Sequence, residues 1–433
     1  MNFLLNFYGR LMTWGTPGLE ALLRRRLVDG KEDPARIGER RGESGLPRPD
    51  GKLIWIHGAS VGEAQSTLVM IEQLRQHFPD RPILLTTGTL TSARYLAARL
   101  PADVTHQFYP LDHPEWVSRF LNHWQPDFVL WMESELWPNM LMNLKRRHTP
   151  VILVNARISP RSQARWMSVR STATEILGTF TAILTQTQAD AESYRALGAT
   201  NVTATGNLKF SASALPVDTQ NEAAFLQAAG QRPRWAYAST HKGEEEMACR
   251  LHKRLAADMP DLLTVIVPRH PERRNDIVDA CAASGLRVQL RGERKDPPRQ
   301  DTDIYIADTL GELGLFYRAS PIACIGRSFS DDGGGGHNPI EAAQLGCVVL
   351  HGPHIQNLAE IYRIMDDAGA SQTVRDEDDF YSTLYHFLTS PEAAQKQGQH
   401  GKDFIVTQNA VLGRIMDNIL PAFNDGHVAR ATA

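Results

Sequence analysis

The chain has 433 residues, 42% of them apolar and 22% charged, with a formal net charge of −3. That length provides for two or three domains of roughly 150 residues, the composition is that of a soluble globular protein with a large core, and the near-neutral balance gives no overall case for nucleic acid. Four cysteines (Cys249, Cys281, Cys324, Cys347) lack CxxC spacing and fall in apolar or helical patterns, which predicts buried, reduced thiols in a cytosolic protein.

The N-terminal stretch Met1–Leu27 is rich in Leu, Phe, Met and Trp, but Arg10, Pro17 and Glu20 interrupt it and Arg24, Arg25 and Arg26 follow. No uninterrupted run approaches the roughly 20 apolar residues of a spanning helix, and no small-residue cleavage site marks a signal peptide. Residues 1–48 carry nine Lys/Arg against six Asp/Glu. Apolar residues beside an arginine cluster fit a segment lying in a membrane interface, peripheral or monotopic; a surface helix docked on the protein's own core fits equally.

After Pro49 the pattern becomes regular. Strand-like runs at Leu53–His57, Ile83–Thr87, Phe128–Met132, Val151–Asn155 and Ala182–Gln186 alternate with helical stretches at Glu63–Phe78, Pro114–Trp124, Leu136–Arg147 and Arg161–Gly178. A polar, alanine-rich segment near Ser211–Gln220 breaks the rhythm. It restarts with Trp235–Ser239, Leu262–Val267, Thr302–Ala307, Ile322–Ile325 and Val348–His351. Such alternation predicts an α/β architecture of two Rossmann-like, doubly wound domains facing a central cleft, with ligands beyond the carboxyl ends of the strands. The expected divisions are 1–48 for the membrane-interface segment, 49–211 for the first domain and 222–390 for the second. A helical segment at 391–433 is placed to pack back on the first.

The strand ends carry the chemistry. His57-Gly58-Ala59-Ser60-Val61-Gly62-Glu63 puts a carboxylate at a helix start, where either a general base or a dipole-stabilising acid would sit. A free Glu titrates near pH ~4.3 and is ready to accept a proton at neutral pH. In Trp131-Met132-Glu133-Ser134-Glu135-Leu136-Trp137-Pro138-Asn139, Glu133 stands on the strand terminus, while Glu135 reads equally as an N-terminal helix acid. Arg157 and Lys209 close later strands on the same rim, together with Ser60 and Gly62 as neighbours of Glu63.

In the second half, Ser239-Thr240-His241-Lys242-Gly243-Glu244-Glu245-Glu246 reads as a strand end and capped helix start. Val267-Pro268-Arg269-His270-Pro271-Glu272-Arg273 offers guanidinium groups suited to phosphate. Thr309-Leu310-Gly311-Glu312-Leu313 starts another helix. The run Asp332-Gly333-Gly334-Gly335-Gly336-His337-Asn338-Pro339-Ile340-Glu341 leads four glycines into a helix whose expected N-cap is Asn338 and whose first turn holds Pro339. A helix N-terminus after such a loop suits phosphate, with Glu341 accepting from sugar hydroxyls. Neither a Walker loop nor the dinucleotide fingerprint is present. The expectation is a sugar-nucleotide site on the second rim and acceptor and base on the first.

These residues together resemble a known family. GASVGE (58–63), ESELWPN (133–139), NARIS (155–159), GNLKF (206–210), STHKGEEE (239–246), VPRHPER (267–273), GELGLFY (311–317), GGHNPIEAA (335–343) and GPHIQN (352–357) are similar, in order, to the blocks of the 3-deoxy-D-manno-octulosonic acid (Kdo) transferases. Those are glycosyltransferases of the GT-B fold acting in the lipopolysaccharide inner core. The resemblance implies inverting transfer of Kdo from CMP-Kdo to a lipid A precursor at the cytoplasmic face of the inner membrane, against an anionic membrane surface. It implies Glu63 as proton acceptor and Glu133 and Lys209 as transition-state stabilisers. CMP contacts fall on Pro268, Arg269, Gly311, Glu312, Leu313, Asn338, Pro339, Ile340 and Glu341, with His241, Gly336 and His337 as further candidates. No metal or other cofactor is expected, because Arg269, Lys209 and the helix N-terminus are placed to neutralise the leaving phosphate. The chain departs from the pattern with Gly326-Arg327-Ser328, where many relatives have Gly-Gly-Ser, and with extra residues through Asp331 and Asp332. Competing readings are another GT-B enzyme, such as a UDP-sugar transferase or sugar-nucleotide epimerase, and an inactive lipid-A-binding protein.

Overall fold

A computed structural model describes residues 2–97, 99–133, 135–211, 214–292, 294–330 and 335–429. The chain forms two units, Met1–Ala212 with Gln408–Ala433, and Ser213–Thr407. The first is built on a parallel sheet of β1 (Ile54–His57), β2 (Ile83–Thr87), β3 (Val104–Phe108), β4 (Phe128–Met132), β5 (Val151–Ala156), β6 (Ala182–Thr185) and β7 (Val202–Ala204). Its order is β3-β2-β1-β4-β5-β6-β7. The second contains β8 (Arg234–Thr240), β9 (Leu263–Pro268), β10 (Val288–Leu290), β11 (Ile304–Ile306), β12 (Ile322–Ile325), β13 (Val348–His351) and β14 (Gln372–Thr373). Its order is β10-β11-β9-β8-β12-β13-β14. In each sheet the chain starts near the centre, fills one side, with β11 inserted between β9 and the edge strand β10 in the second, then returns to the other side of its first strand. The reversal lies between β1 and β4 in one unit and between β8 and β12 in the other. Both are doubly wound α/β sheets, and ligands in such sheets bind outside the strand ends at that switch point.

The strands are continuous apolar runs because helices cover both faces. Every residue of β1, β2, β4 and β5 is buried. On one face Trp55, Phe120, Trp124 and Trp131 pack together, with the Trp55 and Phe120 rings 4.9 Å apart. On the other, the final helix Pro391–Ala429 contributes Val411, Ile415, Ile419 and Phe423, and Phe423 stacks on Phe128 at 3.8 Å. Burial of each such side chain stabilises by about 1.5–3 kcal/mol.

Four strands were not anticipated: β3, β7, β10 and β14. β3 reads Val-Thr-His-Gln-Phe, and the others are two or three residues long. Their apolar signal is too brief to register, and neighbouring strands place them. The stretch expected as one helix over Arg161–Gly178 is two, Pro160–Met167 and Arg170–Leu177, because Val169 leaves helical geometry at φ −128°, ψ 43°.

The N-terminus forms helices α1 (Phe3–Trp14) and α2 (Thr16–Val28). Leu5 and Leu23 are buried, Asn2 donates to Thr172 Oγ1 at 2.8 Å, and the Glu20 carboxylate accepts from Arg41 at 2.7 Å. The opposite face stays open. Phe3, Phe7, Leu11 and Trp14 are 78%, 50%, 50% and 74% exposed, and their spacing aligns them along one side of α1. Among the described residues no helix is long and apolar enough to cross a membrane.

Candidate functional site

In the first unit β1 ends at His57, and helix α3 (Val61–His77) begins after Gly58-Ala59-Ser60. The turn is tight: a Cβ on Gly58 would lie 2.9 Å from Thr67 Cγ2. Ser60 is the N-cap and accepts from the Glu63 N–H at 3.3 Å. The Glu63 carboxylate folds back over this start, accepting from the Ala59 N–H at 2.7 Å and the Ser60 hydroxyl at 2.8 Å. Only 6% of Glu63 is exposed. Burial and then the charge of Glu133 push its carboxyl up to about 7, against the pull of those two hydrogen bonds. The ordinary value of a free glutamate therefore does not describe it.

Glu133 follows β4 with φ +56°, a left-handed conformation unusual for a non-glycine residue. Such a conformation costs on the order of 1–3 kcal/mol and tends to mark a functional position. Its carboxylate is buried and paired with two cations, Lys209 Nζ at 3.0 Å and Arg157 Nε at 3.3 Å. The contact with Lys209 is ionic rather than a directed hydrogen bond. Gly62 lies beside that lysine: a Cβ there would stand 3.7 Å from Lys209 Nζ, an ordinary van der Waals contact. Glu63, Glu133, Lys209, Arg157, Ser60 and Gly62 thus form one cluster at the β1/β4 switch point. Ser134 lies outside the described residues. Glu135 precedes the helix Pro138–Arg146 rather than starting it; its Oε2 accepts from Trp137 Nε1 at 2.8 Å and lies 3.8 Å from His57 Nε2. Burial raises the Glu135 carboxyl, but His57 and Trp137 outweigh it and bring it below the usual range.

In the second unit the helix Glu244–Ala256 follows β8. Its cap is Gly243 at φ +96°, with the Glu246 carboxylate accepting from the Gly243 N–H at 3.0 Å. The expected Ser/Thr cap is therefore replaced by a glycine one. Glu244 is buried and accepts from the N–H groups of His241, Arg327, Ser328 and Phe329 at 2.8 to 3.2 Å, which ties the turn after β12 to the end of β8. Nearby, His241 and His337 stack, with their Nε2 atoms 3.0 Å apart. His270 packs edge-on to His241 at 5.6 Å. Burial, then the charges of Arg269, His241, Arg327 and His270, hold His337 down to about 3. So dense a set of cationic and imidazole groups favours an anion.

The segment 331–334, including Asp332 and two of the four glycines, lies outside the described residues. Gly336 has φ +68°, and a Cβ on it would collide with Tyr362, whose hydroxyl donates to the His337 carbonyl at 2.6 Å. The helix that follows is only five residues, Ile340–Gln344, capped by Pro339 rather than Asn338. So short a helix offers a ligand the N–H groups of its first turn rather than an extended macrodipole. Asn338 Oδ1 accepts from the Ile340 N–H, and its amide donates to Glu341 Oε1, both at 3.1 Å. Burial raises the Glu341 carboxyl, partly offset by Asn338 and Arg269. Among the described residues no three His, Cys, Asp or Glu side chains converge as a metal site requires.

The sequence profile of the family described as "3-Deoxy-D-manno-octulosonic-acid transferase (kdotransferase)" matches residues 35–212. A 3-deoxy-D-manno-octulosonic acid transferase of Rickettsia bellii is 34% identical over 84% of this chain and 86% of its own length. One from Haemophilus influenzae is 32% identical over 89% and 91%. The chain belongs to the Kdo transferase family. Kdo transferases are glycosyltransferases, and the fold agrees with the GT-B class. A solved putative UDP-N-acetylglucosamine 2-epimerase of Listeria monocytogenes superposes with a TM-score of 0.54 over 86% of this chain and 98% of its own, at 14% identity.

In this member of the Kdo transferase family the first-unit candidates converge. The second-unit candidates fall in two places. Pro268, Arg269, His241, Gly336, His337, Asn338, Pro339, Ile340 and Glu341 belong to the ends of β8, β9 and β12 and the loop beyond. Gly311, Glu312 and Leu313 follow β11, where the Glu312 carboxylate accepts from buried Arg291 at 2.8 and 2.9 Å and from Thr309, and pairs with Lys295 at 3.2 Å. Burial opposes ionisation, but Arg291 and Thr309 hold Glu312 down to about 2. It is committed to the protein, leaving main-chain groups for a ligand. Sequence reasoning overlooked two organising acids. Glu244 was present in the STHKGEEE block as a helix-start acid. Asp112 accepts from the Asn139 and Met140 N–H groups at 2.9 Å and so begins the helix after Trp137, yet its surroundings carry no local motif.

Proposed function

We propose that this protein transfers Kdo from CMP-Kdo to a hydroxyl of a lipid A precursor of the lipid IVA type, with inversion at the anomeric carbon. Family membership supports the donor and reaction class. The observation that carries the mechanism is Glu63, a carboxyl poised near neutrality at the first unit's switch point, because a general base works best with a pKa near the operating pH.

Glu63 takes the proton of the acceptor hydroxyl, and the oxygen attacks the anomeric carbon on the face opposite CMP. The bond to the phosphate oxygen breaks, and CMP leaves with the electron pair. Lys209, positioned by Glu133, meets charge developing in the transition state. In the second unit Arg269 and the main chain from Asn338 to Glu341 hold the leaving phosphate, with His241 and His337 beside it. Glu341 takes ribose hydroxyls, and Pro268 and Gly311 to Leu313 line the nucleotide through backbone and apolar surface. Charge neutralisation by these groups makes a metal unnecessary in this reading.

The acceptor's acyl chains remain in a bilayer, so the enzyme works at the cytoplasmic face of the inner membrane as a peripheral or monotopic protein. The exposed stripe Phe3, Phe7, Leu11 and Trp14 supports this, flanked by the exposed Arg10, Arg24 and Arg25. Incubation with CMP-Kdo and a lipid A precursor, read by mass spectrometry, tests the whole reading. No Kdo-sized mass increment, or transfer from a UDP-sugar instead, overturns it.

A further inference from the structure

Lys209 sits on a single 3-10 turn, Leu208–Ser211, with no helix of its own to fix it. What holds that turn is a chain of buried amides. Gln186, at the end of β6, is 6% exposed; its Nε2 donates to the Asn155 carbonyl at 3.0 Å, and its Oε1 accepts from Asn207 Nδ2 at 3.0 Å. Asn155 Oδ1 then accepts from the Leu208 N–H at 2.9 Å, and Asn207 Oδ1 from the Lys209 N–H at 3.0 Å. The two residues on either side of Gln186 thus each grasp one end of the Leu208-Lys209 backbone. Asn155 holds a left-handed φ of +58°, at the point where the β5/β6 register shifts. That strain aims its carbonyl at Gln186 and its side chain at Leu208. An amide of this length presents a donor to one neighbour and an acceptor to the other and stays uncharged at every pH, which a carboxyl does only while protonated.

We infer that Gln186 is a positioning residue for the transfer reaction, setting Lys209 against Glu133 through Asn155 and Asn207. This rests on the reading in which Lys209 serves the transition state. Displacing a reacting-site group by about 1 Å costs up to about 10²-fold in rate, and both side-chain partners of Gln186, Asn155 and Asn207, accept from the backbone N–H groups of Leu208 and Lys209.

A double-mutant cycle on the full-length enzyme tests it, because residues acting through one another lose additivity. Gln186→Met is expected to lower kcat roughly 10- to 100-fold with KM for CMP-Kdo unchanged. In a Lys209→Met background the same substitution is expected to change kcat by less than about twofold. Equal losses in both backgrounds overturn the inference and leave Gln186 a structural residue. Gln186→Glu keeps the fold testable should the Met variant fail. A protonated Glu reproduces the donor and acceptor of the amide, so its kcat is expected to approach wild type at low pH and fall as the carboxyl ionises beside the Asn155 carbonyl. A pH profile parallel to wild type counts against the inference. Failure of the functional reading is separate: there the wild-type enzyme itself shows no Kdo transfer.

Discussion

Ser60 and Glu63 hold one another at the start of α3, the hydroxyl donating to Oε1 at 2.8 Å and accepting from the Glu63 N–H at 3.3 Å. The same carboxylate thus holds the helix start and, in the proposed reaction, takes the acceptor's proton. Removing its charge separates the two roles. Glu63→Gln is expected to lower turnover by about 10²–10⁴ with CMP affinity unchanged. As a helix-start acid alone it would be worth about 0.3–1 kcal/mol, seen as a small drop in melting temperature with turnover retained. Transferase assays and thermal melts on one preparation distinguish these outcomes.

The raised Glu63 carboxyl also makes a prediction about pH. Its folded value of about 7 stands above the ordinary 4.5, so between these the folded protein keeps a proton that the unfolded chain has released. Its stabilising contribution is full below about pH 4.5 and lost as pH rises through about 7. Turnover is expected to climb over the same interval as the base form appears. Glu133 is the second cause of the shift, with Glu135 adding to it and Ser60 and Ala59 opposing. Glu133→Gln is therefore expected to move the midpoint of the kcat/KM profile downward as well as slow the reaction. An unmoved midpoint would remove Glu133 from the electrostatics of the base.

Two glutamates of the second unit are expected to fail in opposite ways. Glu341→Ala is expected to weaken CMP binding ten- to a hundredfold, since a charged hydrogen-bond acceptor is worth about 1.5–3 kcal/mol. Titration calorimetry reads this directly, and an unchanged dissociation constant takes Glu341 out of the site. Glu312→Ala leaves the buried Arg291 guanidinium unpaired, which typically costs about 3–5 kcal/mol of stability. Because Glu312 is held down to about 2, its contribution is present above the ordinary carboxylate range and disappears as pH falls toward 2. A melting temperature unaffected by this substitution would contradict its structural role.

The proposed membrane contact is best tested without removing the N-terminus. Leu5 and Leu23 are buried and Glu20 is paired with Arg41, so deleting residues 1–27 would injure the first unit itself. Arg26 is likewise engaged, its Nε 2.7 Å from Glu32. The outward-facing set is Phe3, Phe7, Leu11 and Trp14 with Arg10, Arg24 and Arg25. Replacing the three arginines by Gln is expected to weaken binding to anionic vesicles by about 1 kcal/mol each. Replacing Phe3, Phe7 and Trp14 by Ser is expected to weaken binding to neutral and anionic vesicles alike. Unaltered sedimentation with vesicles in both variants would leave α1 with a docking role only.

Much of this molecule is legible along the chain. Continuous apolar runs such as Phe128–Met132 and Val151–Asn155 mark strands covered on both faces, and the candidate site residues follow their ends, where Glu63, Glu133, Lys209 and Arg269 stand in recognisable blocks. Strand type, domain pattern and candidate chemistry depend on local periodicity and residue identity, which a sequence carries directly. Tertiary structure decided the rest. Glu63 departs from an ordinary carboxyl because burial and Glu133, 70 residues away, act on it together. Glu312, a helix-start acid by position, is consumed by Arg291, 21 residues earlier in the chain. Five residues, too few for a strong dipole, form the helix after the glycine run. Asp112 and Gln186 carry no motif, Glu244 reads only as a helix-start acid, and the work of all three is to satisfy backbone groups supplied by distant segments. Charge, burial and hydrogen bonding between remote residues depend on distances that only the folded chain creates.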